Sequence, residues 1–133
     1  MEDGNGTVGS VPEQSPRRLT THQKAVLIQV LLAFPDETVT VRYLPSASDA
    51  LNYANDFSTI FKTINWTVAP PEPAENLPYI SSGLAVLAPG ETVPPSAEAL
   101  RDVLRIYGTE AQVVRDESNL CGPSNFALVI TKG

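Results

Sequence analysis

Between residues 38 and 68 the hydrophobic period changes twice, and no other stretch narrows the possible folds as far. In Thr38–Tyr43, Val39, Val41 and Tyr43 alternate with Thr38, Thr40 and Arg42, the two-residue period of a strand with one buried face. Pro45 then punctuates, and Ser46 or Ser48 supplies a helix cap. Ala50, Ala54, Phe57, Phe61 and Ile64 recur at steps of four and three, one apolar stripe along about four turns. Trp66, Thr67, Val68 and Ala69 close the run as a short strand. A strand, helix and strand at this spacing form a βαβ unit, parallel and right-handed.

The chain around this unit divides by composition. Residues 1–18 are rich in Gly, Ser, Pro and acid without apolar periodicity, and such a segment buries too little to offset its ordering entropy. They read as a flexible tail or linker, and residues 19–133 as a single domain. About 115 residues suffice for one core that buries roughly two thirds of the unfolded surface. Thr20 and Gln23 form a capping box for a helix that runs to Phe34, where Pro35 follows. From Ala25 to Phe34 this helix is apolar nearly all round, so it is either packed on most sides or offers a face to a partner.

After the βαβ unit, residues 70–78 carry four prolines and two acids, an extended, stiff connection of a kind that is often functional. Residues 83–88 are apolar on both faces, as in a central strand. A turn at 89–95 leads into a third helix, opened by Pro95 or capped by Ser96, with Leu100, Val103, Leu104 and Tyr107 as its stripe and Gly108 as its stop. Two strands follow, at 111–115 and from Phe126 to Ile130. The expected order is αβαββαββ. The α/β (α+β) class follows, either as a two-layer sandwich of ferredoxin-like type or as a small Rossmann-like open sheet. The polar alternate positions of the first strand favour two layers, because strands covered on both faces are apolar throughout.

Charge and motifs exclude several functions. Fifteen acids against nine bases give a net charge of −6, and Arg17-Arg18 is the one adjacent basic pair. Nucleic-acid binding needs clustered Lys and Arg, so no nucleic-acid partner is expected. Membrane insertion of this chain is not expected either, because no run approaches the roughly 18 apolar residues of a spanning helix. One cysteine, Cys121, and one histidine, His22, leave no metal set and no triad beyond these two residues. No phosphate-binding glycine motif is present. No catalytic residue, cofactor or metal is expected, and a non-enzymatic role is favoured.

One ligand geometry is open. If the first and third strands run parallel, the loops after Pro45 and Gly90 emerge at one sheet edge, each at a helix N-terminus with free N–H groups. Ser46, Ser48, Thr92 and Ser96 then line a small-molecule or nucleotide site, with Asp49 beside them. This is the alternative function. The leading one is a non-enzymatic interaction or sensing module that meets a protein partner or a second copy through the helix from Ala25 to Phe34, the 70–78 connection, or both.

Leu19-Thr20 with Gln23-Lys24, Asp49-Ala50 with Tyr53-Ala54, and Ile64-Asn65-Trp66-Thr67-Val68 form a pattern. It continues through Gly83-Leu84-Ala85-Val86, Pro94-Pro95 with Ala99-Leu100, and Val129-Ile130-Thr131-Lys132. In these residues the chain resembles a soluble α/β domain that follows membrane helices in many uncharacterised bacterial proteins. The resemblance rests on packing positions across most of residues 19–132 and brings no functional residues with it. It implies a bacterial domain that is the soluble part of a membrane-tethered protein; a cytoplasmic location is the other expectation.

Overall fold

The structure, a computed structural model, describes residues 16–75, 83–117 and 119–131. Most of the expected tail, through residue 15, lies outside the described residues, as do positions 76–78 of the proline-rich connection. The first helix, α1 (Thr21–Leu31), starts at the predicted capping box. The Thr20 hydroxyl accepts from the Gln23 amide at 3.1 Å, and the Thr20 amide donates to Gln23 Oε1 at 2.9 Å. It stops three residues short of Phe34. Pro35 disfavours helical backbone just before it, and the chain tightens instead through Ala33 N–H to Val30 O and Phe34 N–H to Leu31 O.

The βαβ unit appears as β1 (Thr38–Tyr43), α2 (Ala50–Thr63) and β2 (Thr67–Val68). Ala50, Ala54, Phe57 and Phe61 are fully buried, as their spacing requires. Asn65 takes a left-handed φ of 66° to turn the chain out of α2, a conformation asparagine tolerates better than most residues. Next comes a two-residue strand, β3 (Glu72–Pro73), inside the proline-rich connection. It was not expected, and the order becomes αβαβββαββ. The remaining elements, β4 (Leu84–Ala88), α3 (Pro95–Ile106), β5 (Ala111–Arg115) and β6 (Phe126–Ile130), fall where the periodicity put them. An α/β class holds, with three helices and a mixed six-stranded sheet.

The sheet runs β2-β1-β6-β4-β5, with β3 also on β1. The C-terminal strand β6 sits in the middle, parallel to β1 over Val39↔Phe126 to Tyr43↔Ile130 and antiparallel to β4 over Leu84↔Ile130 to Leu87↔Ala127. The units β1-α2-β2 and β4-α3-β5 each pair their own two strands directly and in parallel. They point in opposite directions, because β6 is parallel to one and antiparallel to the other. Turning a right-handed βαβ unit half a revolution about the sheet normal reverses its strands but leaves its helix on the same face. Accordingly α1, α2 and α3 contribute to one core with Val39, Val41, Leu84, Val86, Phe126, Leu128 and Ile130.

The alternate residues Ala85, Leu87, Ala127 and Val129 face the other way and pack with Leu120 and Cys121 from the loop before β6. On the helical side, α1 packs against both α3 and α2. An aromatic series runs through the core from Tyr53 to Phe57, Phe61 and Trp66, with Phe61 and Trp66 stacked at 5.3 Å and Trp66 edge-on to Phe126. The Trp66 indole donates to Phe34 O at 2.8 Å, which fixes the C-terminal end of α1 to the end of α2. No helix among the described residues is long and apolar enough to cross a membrane.

Candidate functional site

The five residues expected to share a ligand site do not converge. Because β1 and β4 run in opposite directions, the loop after β1 and the loop after β4 leave opposite edges of the sheet. Ser96 makes the point directly. It stands at the start of α3, and its hydroxyl donates to Glu37 Oε1 at 2.8 Å, just before β1 begins. Ser46 and Ser48 lie at the far end of β1, exposed, and Thr92 is exposed near Ser96. The shared-edge arrangement failed because it assumed parallel β1 and β4, and the inserted β6 reverses one of them.

Asp49 is occupied by a different partner. It accepts from the Arg17 amide and Nε at 2.9 Å each and from Arg17 Nη2 at 2.8 Å. The Arg17 hydrogen bond outweighs partial burial and holds its carboxyl down at about 2. One residue on, Arg18 grips Asp56 through Nε at 2.8 Å and Nη2 at 2.9 Å, and the Leu19 amide adds a third bond at 3.0 Å. Burial alone would raise the Asp56 carboxyl; the bonds from Arg18 and Leu19 and the Arg18 charge win, and it is lowered. Arg17 also stacks over Tyr53 at 5.3 Å. The two arginines read as the end of a tail therefore pin the start of α1 to α2. The available signal was Asp49 and Asp56, seven apart and so on one helix face, opposite the chain's one adjacent basic pair.

Of the two single-copy reactive residues, Cys121 is held in a form unsuited to nucleophilic attack, and His22 lies on the surface. Cys121 is buried, with its thiol donating to Leu87 O at 3.3 Å. Burial, reinforced by Asp116, pushes the thiol up to about 12, away from the thiolate that a nucleophile requires. His22 is exposed on α1, edge-on to Tyr107 at 5.6 Å. No group of three potential metal ligands occurs among the described residues.

A cavity of about 280 Å³ opens instead beside β1. Along this edge β2 covers Thr38 and Val39, and β3 covers Arg42 and Tyr43. Three steps on β1 (39 to 42) face four on its neighbour (68 to 72), so one residue is extra and the strand bulges. The bulge contains Pro70 and Pro71, which have no N–H to lend to a ladder. Glu37 and Tyr43 accept at this edge from Thr67 and Ala74, at 2.9 Å each. Backbone polar groups alternate sides along a strand, so the Val41 N–H faces the interruption, while the parallel pairing of Arg42 with Glu72 engages the Val41 carbonyl.

Thr38, Thr40, Arg42, Thr67, Pro70 and Ser124 line the cavity. The Thr40 and Ser124 hydroxyls share a 2.7 Å hydrogen bond. Arg42 bonds the largely exposed Glu72 through Nη1 at 2.6 Å, while its buried Nε has no hydrogen-bond partner. In the sequence these residues show only as the polar side of β1; the further signal is the proline pair following β2.

No protein family, curated protein or solved structure matches the chain.

Proposed function

We propose that this domain is a non-enzymatic interaction module that pairs with a second copy of the chain through the outer face of α1. The observation that carries the reading is Leu32, 58% exposed just past the end of α1 beside exposed Ala33, below a helix whose outward positions are Thr21, His22, Ala25 and Gln29. Isolated exposed apolar residues mean little. Here, however, Val26, Ile28 and Val30 are also only partly covered, and α1 carries no acid at all. On a chain of net charge −6, a face without acids is where two like copies can approach without repulsion. Ile106, 78% exposed, lies beside Tyr107, which meets the opposite end of α1 at His22. A single short helix face gives a small interface, so the association is weak, with a dissociation constant of about 10–1,000 µM.

The architecture supporting this face is the two-layer form. Rossmann-like sheets carry helices on both faces, whereas the helical core here lies on one. Ferredoxin-like sheets are built of split βαβ units, whereas both units here pair their strands directly. The reading is of a two-layer sandwich outside both types.

Sedimentation velocity of the wild type and Leu32→Asp tests the function. The wild type should shift towards dimer with concentration, while the variant stays monomeric with an unchanged melting temperature. A wild type that remains monomeric at the highest attainable concentration ends the proposal.

A further inference from the structure

We infer that the cavity beside β1 binds a small organic carboxylate, clamped by the Nε edge of Arg42. This lies on the side of β1 away from the helices, so it is independent of pairing through α1. Three observations converge. The first is the unused donor: Arg42 has Nη1 committed to Glu72, while its buried Nε is unpaired. A guanidinium presents Nε–H and Nη2–H side by side, a fork that matches the two oxygens of a carboxylate. The chain itself uses that fork twice, Arg17 on Asp49 and Arg18 on Asp56.

The second observation is the broken ladder. The Pro70-Pro71 bulge withdraws the neighbouring strand just where the Val41 N–H points outward, leaving room for a ligand oxygen at the strand edge. The third is the wall chemistry. Hydroxyls of Thr38, Thr40 and Thr67 stand near Arg42, and Pro70 offers apolar surface, a combination that suits a short acid with one polar substituent. At about 280 Å³ the space is near the lower limit of small-molecule sites, so the ligand is compact. A single arginine already shared with Glu72 matches one negative charge better than two, which favours a carboxylate over phosphate.

The test is nuclear magnetic resonance of the isotope-labelled chain titrated with propionate, lactate, propionamide and inorganic phosphate at constant ionic strength. The Arg42 Nε–H signal and the Val41 amide should shift and saturate with propionate or lactate, with a dissociation constant of about 1 mM or tighter. Propionamide, the uncharged isostere, should move neither. Arg42→Lys keeps the charge but loses the fork, and should weaken binding at least about tenfold. Absence of saturation with both acids overturns the assignment, as does an equal response to propionamide, tighter binding of phosphate, or a lysine variant that binds like wild type. If Arg42→Lys does not fold, Glu72→Gln decides. Removing the competing acid should tighten the carboxylate, and unchanged or weaker binding counts against the site.

Discussion

Replacing Asp56 by alanine should destabilise the domain by about 2–3 kcal/mol. The Asp56 side chain is 7% exposed and accepts three hydrogen bonds, two from Arg18 and one from the Leu19 amide. Leu19 is buried, so losing the acceptor leaves its N–H unpaired, at about 1–3 kcal/mol. Arg18 is mostly solvent-exposed and rehydrates when released, so its share is small. Asp56→Asn keeps one oxygen for Leu19 and should lose only about 1 kcal/mol. Urea unfolding reads these differences as midpoint shifts of about 1 M for the alanine variant, given slopes of about 1–3 kcal/mol per molar.

The pH dependence has a definite sign. The folded carboxyl of Asp56 is lowered from its usual 3.8. Its contribution is therefore present above that value and lost as pH falls through the lower folded one. The gap between wild type and Asp56→Ala should be full at neutral pH and close in strong acid. A variant within about 0.5 kcal/mol of wild type at neutral pH, or a gap that widens on acidification, would refute the account of this contact.

Three further outcomes follow from the packing. Leu31→Ala, at a position with no exposure, should lower stability by about 2–4 kcal/mol, whereas Leu32→Ala next door should stay within about 0.5 kcal/mol, both by urea unfolding. Cys121 should resist a thiol-specific reagent such as dithionitrobenzoate in the native state and react on denaturation, because its thiol is buried and held near 12; rapid native labelling would contradict the burial. Trp66→Phe should cost about 1–2 kcal/mol by leaving Phe34 O without its indole donor, measured by far-ultraviolet circular dichroism, since the variant has no tryptophan to report.

Local elements were legible in the sequence because local periodicity writes them. The switch from alternating Val39 and Val41 to the stripe of Ala50, Ala54, Phe57 and Phe61 placed β1 and α2, and Thr20 with Gln23 placed the start of α1. Sheet order is a different kind of information. That β6 lies between β1 and β4 depends on pairings such as Val41↔Leu128 and Val86↔Leu128, far apart in the chain and without a local signature. Missing that insertion sent Ser48 and Ser96 to the same edge. The two-residue strand β3 has no period to detect, and its Pro73 argued against a strand at all. Arg17 and Arg18 looked like tail because their partners are 32 and 38 residues away. The polar alternation of Thr38, Thr40 and Arg42 was visible, but the cavity they line exists only because Pro70 and Pro71 interrupt a neighbour brought alongside by the fold.

The claim that α1 is the working surface is tested most directly by amide correlation spectra recorded from about 10 µM to about 1 mM protein. Pairing through α1 predicts concentration-dependent shifts at Ala25, Gln29, Leu32 and Ala33, abolished by Leu32→Asp. Spectra that superimpose across the range, or shifts centred on Leu51 and the far side of α2 instead, would contradict it.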